Sequence, residues 1–154
     1  MSGPPFNTSH SRPRRCTVNL LLPLLAGVES NPGPQRQFCL GVLNAGCATN
    51  KAADIADLFA DHHPDAMAVC ETWIGDTVPD AVKFGLAPMG FNINHVHRLI
   101  VSGGSTRGGG LAFISASDIL VRPYPLQSIA PPASFERQLL NVRLGHDVIV
   151  VANI

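Results

Sequence analysis

The sequence has few charged residues: 14% of its 154 residues are Asp, Glu, Lys or Arg, against 45% that are hydrophobic. Disordered proteins show the opposite balance, because a chain with little apolar area cannot bury enough of it to offset its conformational entropy. The composition therefore excludes a chain that is disordered throughout. Its length allows one domain.

Long apolar runs and paired cysteines are also missing. No uninterrupted apolar stretch approaches the ~20 residues that a membrane-spanning helix needs, so we expect no stable membrane association. The four cysteines form no Cys-x-x-Cys pair and show no zinc-like spacing with the six histidines. Free thiols are typical of a reducing compartment, and we expect a cytoplasmic or nuclear protein.

A basic surface is absent from most of the chain, although the formal net charge is zero. Arg12, Arg14 and Arg15 precede position 34, where Glu29 alone opposes them. Removing these from the totals of eleven basic and eleven acidic residues leaves eight basic and ten acidic ones, a net charge of −2. The residues from position 34 onward therefore have no obvious basic surface for nucleic-acid phosphates, but their charge is compatible with an acidic metal site.

The chain divides at about residue 36. Residues 1–15 are rich in Pro, Ser and Arg and predict a disordered leader. A short apolar run, Val18–Ala26, and a Pro- and Gly-rich segment follow. From Gln37 the pattern becomes that of a globular α/β domain, so we assign residues 1–36 to the leader and 37–154 to the domain.

The domain begins with a strand–helix–strand pattern. Phe38–Asn44 and Ala66–Cys70 are apolar runs of strand length. Between them we predict a helix over Lys51–His62, capped by Thr49 or Asn50. One face of this helix carries the residues expected to pack on a sheet, which are Ile55, Leu58, Phe59 and His62.

A strand-rich second part follows. Gly145-His146 is the predicted hairpin turn between the last two strands. Val148–Ala152 is continuously apolar, which is typical of a central strand with a neighbour on each side. The given sequence stops directly after it, so we expect this strand to lack one neighbour and to form an exposed edge. The pattern predicts a mixed sheet layered with helices. Its later strands are Phe91–His97, Leu111–Ser115, Ile119–Arg122, Phe135–Leu144 and Asp147–Asn153.

Two polar residues end the two predicted buried strands of the first part. Glu71 follows Ala66–Cys70, and Asn44 ends the run from Phe38. Side chains at the carboxyl ends of such strands emerge from a rigid support into a cleft. A carboxylate there suits Mg²⁺, which prefers oxygen ligands, and an amide can hold a phosphate oxygen or orient an attacking water. From composition alone, a surface glutamate and a turn-forming asparagine are the alternatives.

Arg107 and the glycines after it resemble a phosphate cradle, which makes Arg107 a candidate substrate contact. The run lacks the Gly-Lys-Ser/Thr ending of a P-loop and does not precede a helix. We therefore expect Gly108–Gly110 to lead a loop into the strand at Leu111.

The clustered histidines are interpreted as structural. His62-His63 closes a predicted helix, where imidazole favours the negative end of the helix dipole. His95 and His97 fall on one face of a strand without a recognisable third metal ligand in the sequence.

Several short segments occur in an order that resembles non-LTR (LINE-type) retrotransposon endonucleases. These enzymes belong to the endonuclease/exonuclease/phosphatase superfamily, together with apurinic/apyrimidinic repair nucleases. The resemblance covers roughly residues 38–154, and its segments are Leu43–Ala45, Asn50-Lys51, Pro64–Ile74, Gly90-Phe91, Arg107–Ile114 and Phe135-Glu136.

The resemblance implies an α/β fold, an incomplete four-layer αββα sandwich, and nicking of DNA with Mg²⁺ or Mn²⁺. Glu71 matches the metal-binding glutamate of the family, and Asn44 matches its first-strand active-site asparagine; both are candidate catalytic residues. Asn153-Ile154 is similar to the start of the family's Asn-Ile/Val-Tyr-Arg-Pro-Pro segment. Gly46-Cys47 departs from the usual Arg-Ser after the asparagine, so the contacts made there are open.

The family's Gly-Asp-Phe-Asn and Ser-Asp-His segments do not occur in the sequence. Phosphodiester hydrolysis needs charge neutralisation, a polarised water and in-line geometry, and the missing groups provide much of these. We therefore expect this chain to be inert although its family is a nuclease. The alternatives are a non-enzymatic decayed remnant or gene-model fragment, and a phosphatase-type member of the superfamily with a secretory signal.

The leader resembles a 2A "stop-go" peptide, whose hallmark is Asp-Val/Ile-Glu-x-Asn-Pro-Gly-Pro. The resemblance implies that the ribosome is a partner during translation and does not join residue 33 to residue 34, since the ring nitrogen of proline is a hindered nucleophile. Residues 12–26 also satisfy the outline of a secretory signal. Gly27 stands where Asp is usual, and the matching residues are Val28, Glu29, Asn31, Pro32, Gly33 and Pro34.

Overall fold

The structure, a computed structural model, describes residues 37–97, 108–125 and 136–154 and the backbone of residues 14–16. The described residues form two sheets and two helices. In chain order the elements are β1 Arg14–Cys16, β2 Leu40–Asn44, α1 Ala52–His62, β3 Ala66–Cys70, α2 Asp80–Phe84, β4 Phe91–Val96, β5 Leu111–Ala116, β6 Leu120–Pro123, β7 Gln138–Leu144 and β8 Asp147–Asn153.

The first sheet has the strand order β1-β2-β3-β5-β4. β2 and β3 are parallel and are connected through α1, whereas the other neighbours are antiparallel. β3 is central and almost fully buried, since both faces of the sheet are covered, which explains its continuous apolar run. Within the leader predicted to be disordered, the structure describes Arg14–Cys16 alone, as the strand β1. The leader boundary at residue 36 remains a prediction.

Helix α1 packs on one face of this sheet through residues spaced by one turn. Ile55 and Phe59 are buried, and Leu58 packs against the same core. The Phe59 ring lies 4.4 Å from that of Phe91 on β4, measured between centroids. His62 was predicted to share this face, but it is exposed, because the helix ends there and His63 adopts a left-handed conformation.

The predicted capping of α1 by Thr49 or Asn50 is wrong, since the N-cap residue is Lys51. The Thr49 hydroxyl pairs instead with the Cys47 thiol at 3.1 Å. The Lys51 backbone N–H donates to the Ala48 carbonyl at 2.9 Å, and its ammonium group donates to the Ala45 carbonyl. These contacts tighten the turn that enters the helix.

The second sheet, of order β6-β7-β8, packs on the opposite face of the first. Alternate residues of β7 face inward, so Leu140 and Val142 are buried while Arg143 is exposed. The predicted hairpin at Gly145-His146 is confirmed, since Leu144 pairs with Asp147 across it. The core between the sheets contains Ala66, Ala68, Phe113, Ile119, Leu140, Val142 and Val151.

These layers are a helical layer followed by two sheets, which confirms the predicted α/β layered fold and supplies three of the four layers expected. Among the described strands, β8 has β7 as its one neighbour, so the prediction that this strand forms an exposed edge is confirmed. The short helix α2 was not predicted. Neither described helix is long and apolar enough to cross a bilayer.

Candidate active site at the strand ends

Several strand ends meet at one edge of the molecule. In the parallel pair of β2 and β3, Asn44 lies opposite Cys70, and Glu71 is the next residue. β5 begins at Leu111, opposite Cys70 on its other side. Asn153, the last residue of β8, reaches the backbone of β3 and β5 close by. Asn44 and Glu71 therefore stand at the ends of adjoining strands.

The carboxylate of Glu71 is oriented by two N–H donors. Its Oε2 atom accepts hydrogen bonds from the backbone of Gly109 at 2.9 Å and from the indole Nε1 of Trp73 at 3.0 Å. The side chain is half-buried. Hydrogen bonds to an ionised carboxylate are among the stronger ones in proteins, so this group is held in a defined position at the edge.

The backbone around Glu71 is strained. Glu71 and Trp73 both lie in the left-handed region, each with a φ of 56°. This region costs an L-residue about 1–2 kcal/mol. Backbone hydrogen bonds on both sides hold the segment there, among them those from Cys47 N to the Glu71 carbonyl at 2.8 Å and from Trp73 N to the Gly109 carbonyl at 2.9 Å. Strain that the surroundings maintain in this way clusters at functional sites.

The glycine run allows this close approach. Gly108, Gly109 and Gly110 have φ values of 91°, 75° and 82°, in the region that favours glycine. A Cβ atom on Gly110 would lie 2.6 Å from Oγ1 of the fully buried Thr72. The predicted role of the run, to lead a loop into the strand at Leu111, is confirmed.

Asn44 makes the contact expected of a turn residue. Its Oδ1 accepts a hydrogen bond from Gly46 N at 3.1 Å, and the side chain is exposed. The turn interpretation is therefore correct, and it leaves the amide at the same edge as the Glu71 carboxylate.

A buried amide network joins the two sheets directly behind this edge. The Nδ2 atom of Asn153 donates to the carbonyl oxygens of Ala112 at 3.1 Å and Val69 at 3.4 Å, and to Gln138 Oε1 at 3.2 Å. Gln138 in turn donates to the Asn94 carbonyl at 3.0 Å. Asn153 and Gln138 are 5% and 4% exposed, so they are pairing groups inside the core and not surface residues.

The thiols at the edge have opposite electrostatic environments. The hydrogen bond from Thr49 lowers the pKa of Cys47, and nearby Lys51 acts in the same direction. Burial raises the pKa of Cys70, and the charge of Glu71 adds to that effect. Cys39, Cys47 and Cys70 are free cysteines.

His95 and His97 form a stacked pair, with ring centroids 6.1 Å apart. His95 Nε2 bonds to the Lys83 carbonyl at 3.0 Å, and His97 Nδ1 bonds to the Ile74 carbonyl at 3.2 Å. Both rings therefore tie the segment of residues 74–83 to β4, in agreement with the structural interpretation.

The candidate contact Arg107 and the whole stop-go motif, Val28–Pro34, lie outside the described residues. Of the sites proposed from the sequence, the structure thus brings together Asn44, Glu71 and the glycine run. Sequence reasoning missed two of the contributors to this edge, Trp73 and Asn153, as functional groups. A polar residue at the end of an apolar strand was the available signal for Asn153.

The oxygen donors at the edge suit a divalent cation that prefers oxygen ligands. Mg²⁺ is commonly held by one or two carboxylates, with waters and substrate phosphates completing its shell. Glu71 provides one oriented carboxylate. No group of three His, Cys, Asp or Glu residues suited to a metal occurs in residues 37–97, 108–125 and 136–154. The described residues therefore fit a largely hydrated Mg²⁺ or Mn²⁺ at Glu71 and not a four-ligand zinc site.

No protein-family model matches the sequence, and no curated protein matches it by sequence. Among solved structures, the chain is similar to an AP endonuclease from Leishmania major, with a TM-score of 0.55 and 14% identity. That alignment covers 86% of this chain and 44% of the endonuclease. The chain has the fold of AP endonuclease- and exonuclease-type proteins. It spans less than half the length of this relative.

Two further structures align more loosely. A 3′ phosphatase from Neisseria bound to a product DNA hairpin has a TM-score of 0.42 at 15% identity, covering 72% of this chain and 39% of that one. An AP endonuclease from Archaeoglobus fulgidus has a TM-score of 0.41 at 16% identity, covering 72% and 38%.

Proposed function

We propose that this chain carries the N-terminal half of a magnesium-dependent DNA endonuclease domain encoded by a non-LTR retrotransposon. The observation that carries the proposal is the Glu71 carboxylate, oriented by two N–H donors where the strands of both sheets end. The likeness to an AP endonuclease supports the superfamily, and the order of the sequence segments supports the retrotransposon origin.

Glu71 is the proposed metal ligand, and Asn44 is the proposed contact to a phosphate oxygen or to the attacking water. A bound Mg²⁺ supplies charge neutralisation and a polarised water to phosphodiester hydrolysis. This chain's own contribution is geometric. Its strained segment fixes the carboxylate at the edge, and the parallel pairing of β2 with β3 puts the amide on the adjoining strand.

Metal binding is the direct test. Mn²⁺ titrated into the protein and followed by electron paramagnetic resonance should bind at one site in the wild type. Glu71→Gln keeps the size of the side chain and removes its charge, so it should weaken binding at least tenfold. Asp57→Asn, at an exposed carboxylate on α1, is the matched control and should leave binding unchanged. Equal binding by the wild type and Glu71→Gln would refute the proposed metal site.

A nicking assay tests the expectation that these 154 residues are inert. Supercoiled plasmid incubated with the chain and Mg²⁺ should remain supercoiled, because residues 1–154 hold neither a Gly-Asp-Phe-Asn nor a Ser-Asp-His segment. Nicking that disappears in Glu71→Ala would overturn the inertness and keep the nuclease assignment.

For the leader, we propose stop-go translation between Gly33 and Pro34. The support is the match of six motif residues in Val28–Pro34. Cell-free translation without membranes should yield a product that starts at Pro34, and Pro34→Ala should give one uncut chain because alanine is a normal nucleophile. A single uncut wild-type product would refute skipping. Cleavage that requires added microsomes would favour the secretory signal.

A further inference from the structure

Trp73 is placed unusually for a tryptophan. It is the single tryptophan of the chain and is 42% exposed, although the residues on both sides, Thr72 and Ile74, are 0% and 2% exposed. Its backbone lies in the left-handed region, where bulky residues are outliers. Packing alone favours neither the exposed ring nor the conformation that presents it.

The contacts of Trp73 explain how this placement is maintained. Its backbone N–H donates to the Gly109 carbonyl at 2.9 Å, and its indole N–H donates to Glu71 Oε2 at 3.0 Å. The indole has one polar atom, and that atom is occupied by the carboxylate. The exposed area of the side chain is therefore mainly aromatic surface, and the hydrogen bond restricts the ring to one orientation beside Glu71.

We propose that Trp73 is a nucleobase-stacking subsite, which takes an unpaired base of the substrate strand next to the phosphate held at Glu71. The proposal rests on the proposed function, because it needs a phosphodiester at that carboxylate. In each nucleotide one sugar carries both the phosphate and the base. The Trp73 ring is hydrogen-bonded to the proposed metal ligand, so a phosphodiester at Glu71 would bring the base of the same or the next nucleotide to this ring. An aromatic face accepts every base, and a ring that is already oriented loses little freedom on binding.

The ligand class follows from the geometry of stacking. In an intact duplex both faces of a base are covered by its neighbours, so the ring can reach a base only in a single strand or where a base is unstacked. Trp73 thus predicts a preference for single-stranded or locally opened DNA. It predicts little dependence on which base is present.

The test uses fluorescence, because all tryptophan emission comes from this one residue. A short single-stranded oligodeoxythymidine with Mg²⁺ should quench the emission of the full chain, and the same strand annealed to its complement should quench it much less. Fluorescence anisotropy of a labelled strand then compares variants. Trp73→Leu should weaken binding about tenfold, whereas Trp73→Phe should retain most of it because the aromatic face remains.

Phe84 provides the matched control. It is also an exposed aromatic residue, at 61%, but it lies on α2 and not in the strained segment of residues 71–73. Phe84→Leu should bind the single strand like the wild type. Circular dichroism of each variant checks that folding is retained. If Trp73→Leu unfolds, the quenching of the wild-type emission by single strand but not by duplex still tests stacking.

The outcomes separate this proposal from the proposed function. Glu71-dependent Mn²⁺ binding together with equal strand affinity in Trp73→Phe, Trp73→Leu and wild type would refute stacking alone. Equal quenching by single strand and duplex would also refute it. Mn²⁺ binding that is equal in the wild type and in Glu71→Gln would refute the proposed function, whatever the tryptophan does.

Discussion

Gly110 is the residue at which the strained segment and the glycine run come closest. Its φ of 82° and the short distance that would separate a Cβ atom at this position from Thr72 Oγ1 both oppose a side chain there. The Thr72 N–H also donates to the Gly110 carbonyl at 3.1 Å, so a shift at Gly110 is transmitted to the residue that follows Glu71. Residue 110 therefore constrains the backbone next to Glu71 from the start of the neighbouring strand.

We predict that Gly110→Ala destabilises the fold by about 2 kcal/mol, since the added Cβ must displace a fully buried side chain and the left-handed conformation disfavours alanine. Urea unfolding measures the change. Gly75→Ala is the control, because a Cβ atom at Gly75 would meet nothing within 4 Å. Equal stability of Gly110→Ala and the wild type would contradict the close approach.

His95 is predicted to make stability depend on pH. Burial lowers its pKa from the ordinary value of 6.5, and the charges of His97 and Lys83 act in the same direction, although the Lys83 carbonyl opposes them. Among the described residues, none pairs with its buried Nδ1 atom, so protonation there would bury a charge without an acceptor. Below pH 6.5 the unfolded chain binds the proton and the folded chain does not, so stability falls as the pH falls.

Urea unfolding at pH 8 and at about pH 5.5 tests this, with the sign of the difference set by linkage. His95→Gln should be less sensitive to acid than the wild type between these values. His146→Gln, at an exposed turn histidine, should behave like the wild type. His97 Nε2 lies 3.6 Å from Asp76 Oδ1, so this second ring has a charged neighbour of its own. Comparing His95→Gln with the double variant His95→Gln/His97→Gln separates the effects of the two rings on acid sensitivity. An unchanged acid slope in His95→Gln would contradict the role of burial.

At the scale of elements, the strands were recognised where an apolar run is continuous. β3 and β8 have the predicted bounds, although β3 is almost fully buried and β8 is largely exposed. Helix α1 was recognised by its 3.6-residue spacing, but its cap and the exposure of His62 were not. Those features depend on what the turn at residues 47–51 contacts and on where the helix leaves the sheet.

The amide network that joins the two sheets depends on one side chain, Asn153. Asn153→Ala would remove the donor to the Val69 and Ala112 carbonyls and to Gln138 Oε1, and leaving a buried polar group unsatisfied costs about 1–3 kcal/mol. We therefore predict a loss in that range by urea unfolding. Asn141→Ala, on the other face of β7, should cost much less. Comparable losses in the two variants would show that the network does not stabilise the joint.

At the scale of the whole molecule, β8 decides how the chain behaves in solution. Val148 and Val150 are 52% and 54% exposed on this edge strand, and no Lys, Arg or Pro interrupts residues 148–152. The opposite edge, β6, carries Arg122 and Pro123, which protect an edge against pairing. Among the described strands, the second sheet therefore has one protected and one open edge.

We predict that residues 34–154 expressed alone self-associate and are poorly soluble or lack a cooperative melt. Val150→Lys should lower the association several-fold in analytical ultracentrifugation, because a charge on an edge strand opposes pairing. Phe84→Lys places the same charge on α2 and should have little effect. A soluble wild-type monomer with a sharp two-state transition would contradict the open edge.

The sequence by itself determined the strand–helix–strand unit, the hairpin at residues 145–146 and the polar ends Asn44 and Glu71, because these follow from local apolar runs and turn chemistry. Tertiary structure decided the rest. Whether Asn44 and Glu71 adjoin depends on the parallel pairing of β2 with β3, which no local pattern fixes. The orientation of Glu71 depends on N–H groups from residues 73 and 109, one of them 38 positions away. Such contacts exist only once the sheet has assembled, since the same residues have no fixed neighbours in the unfolded chain.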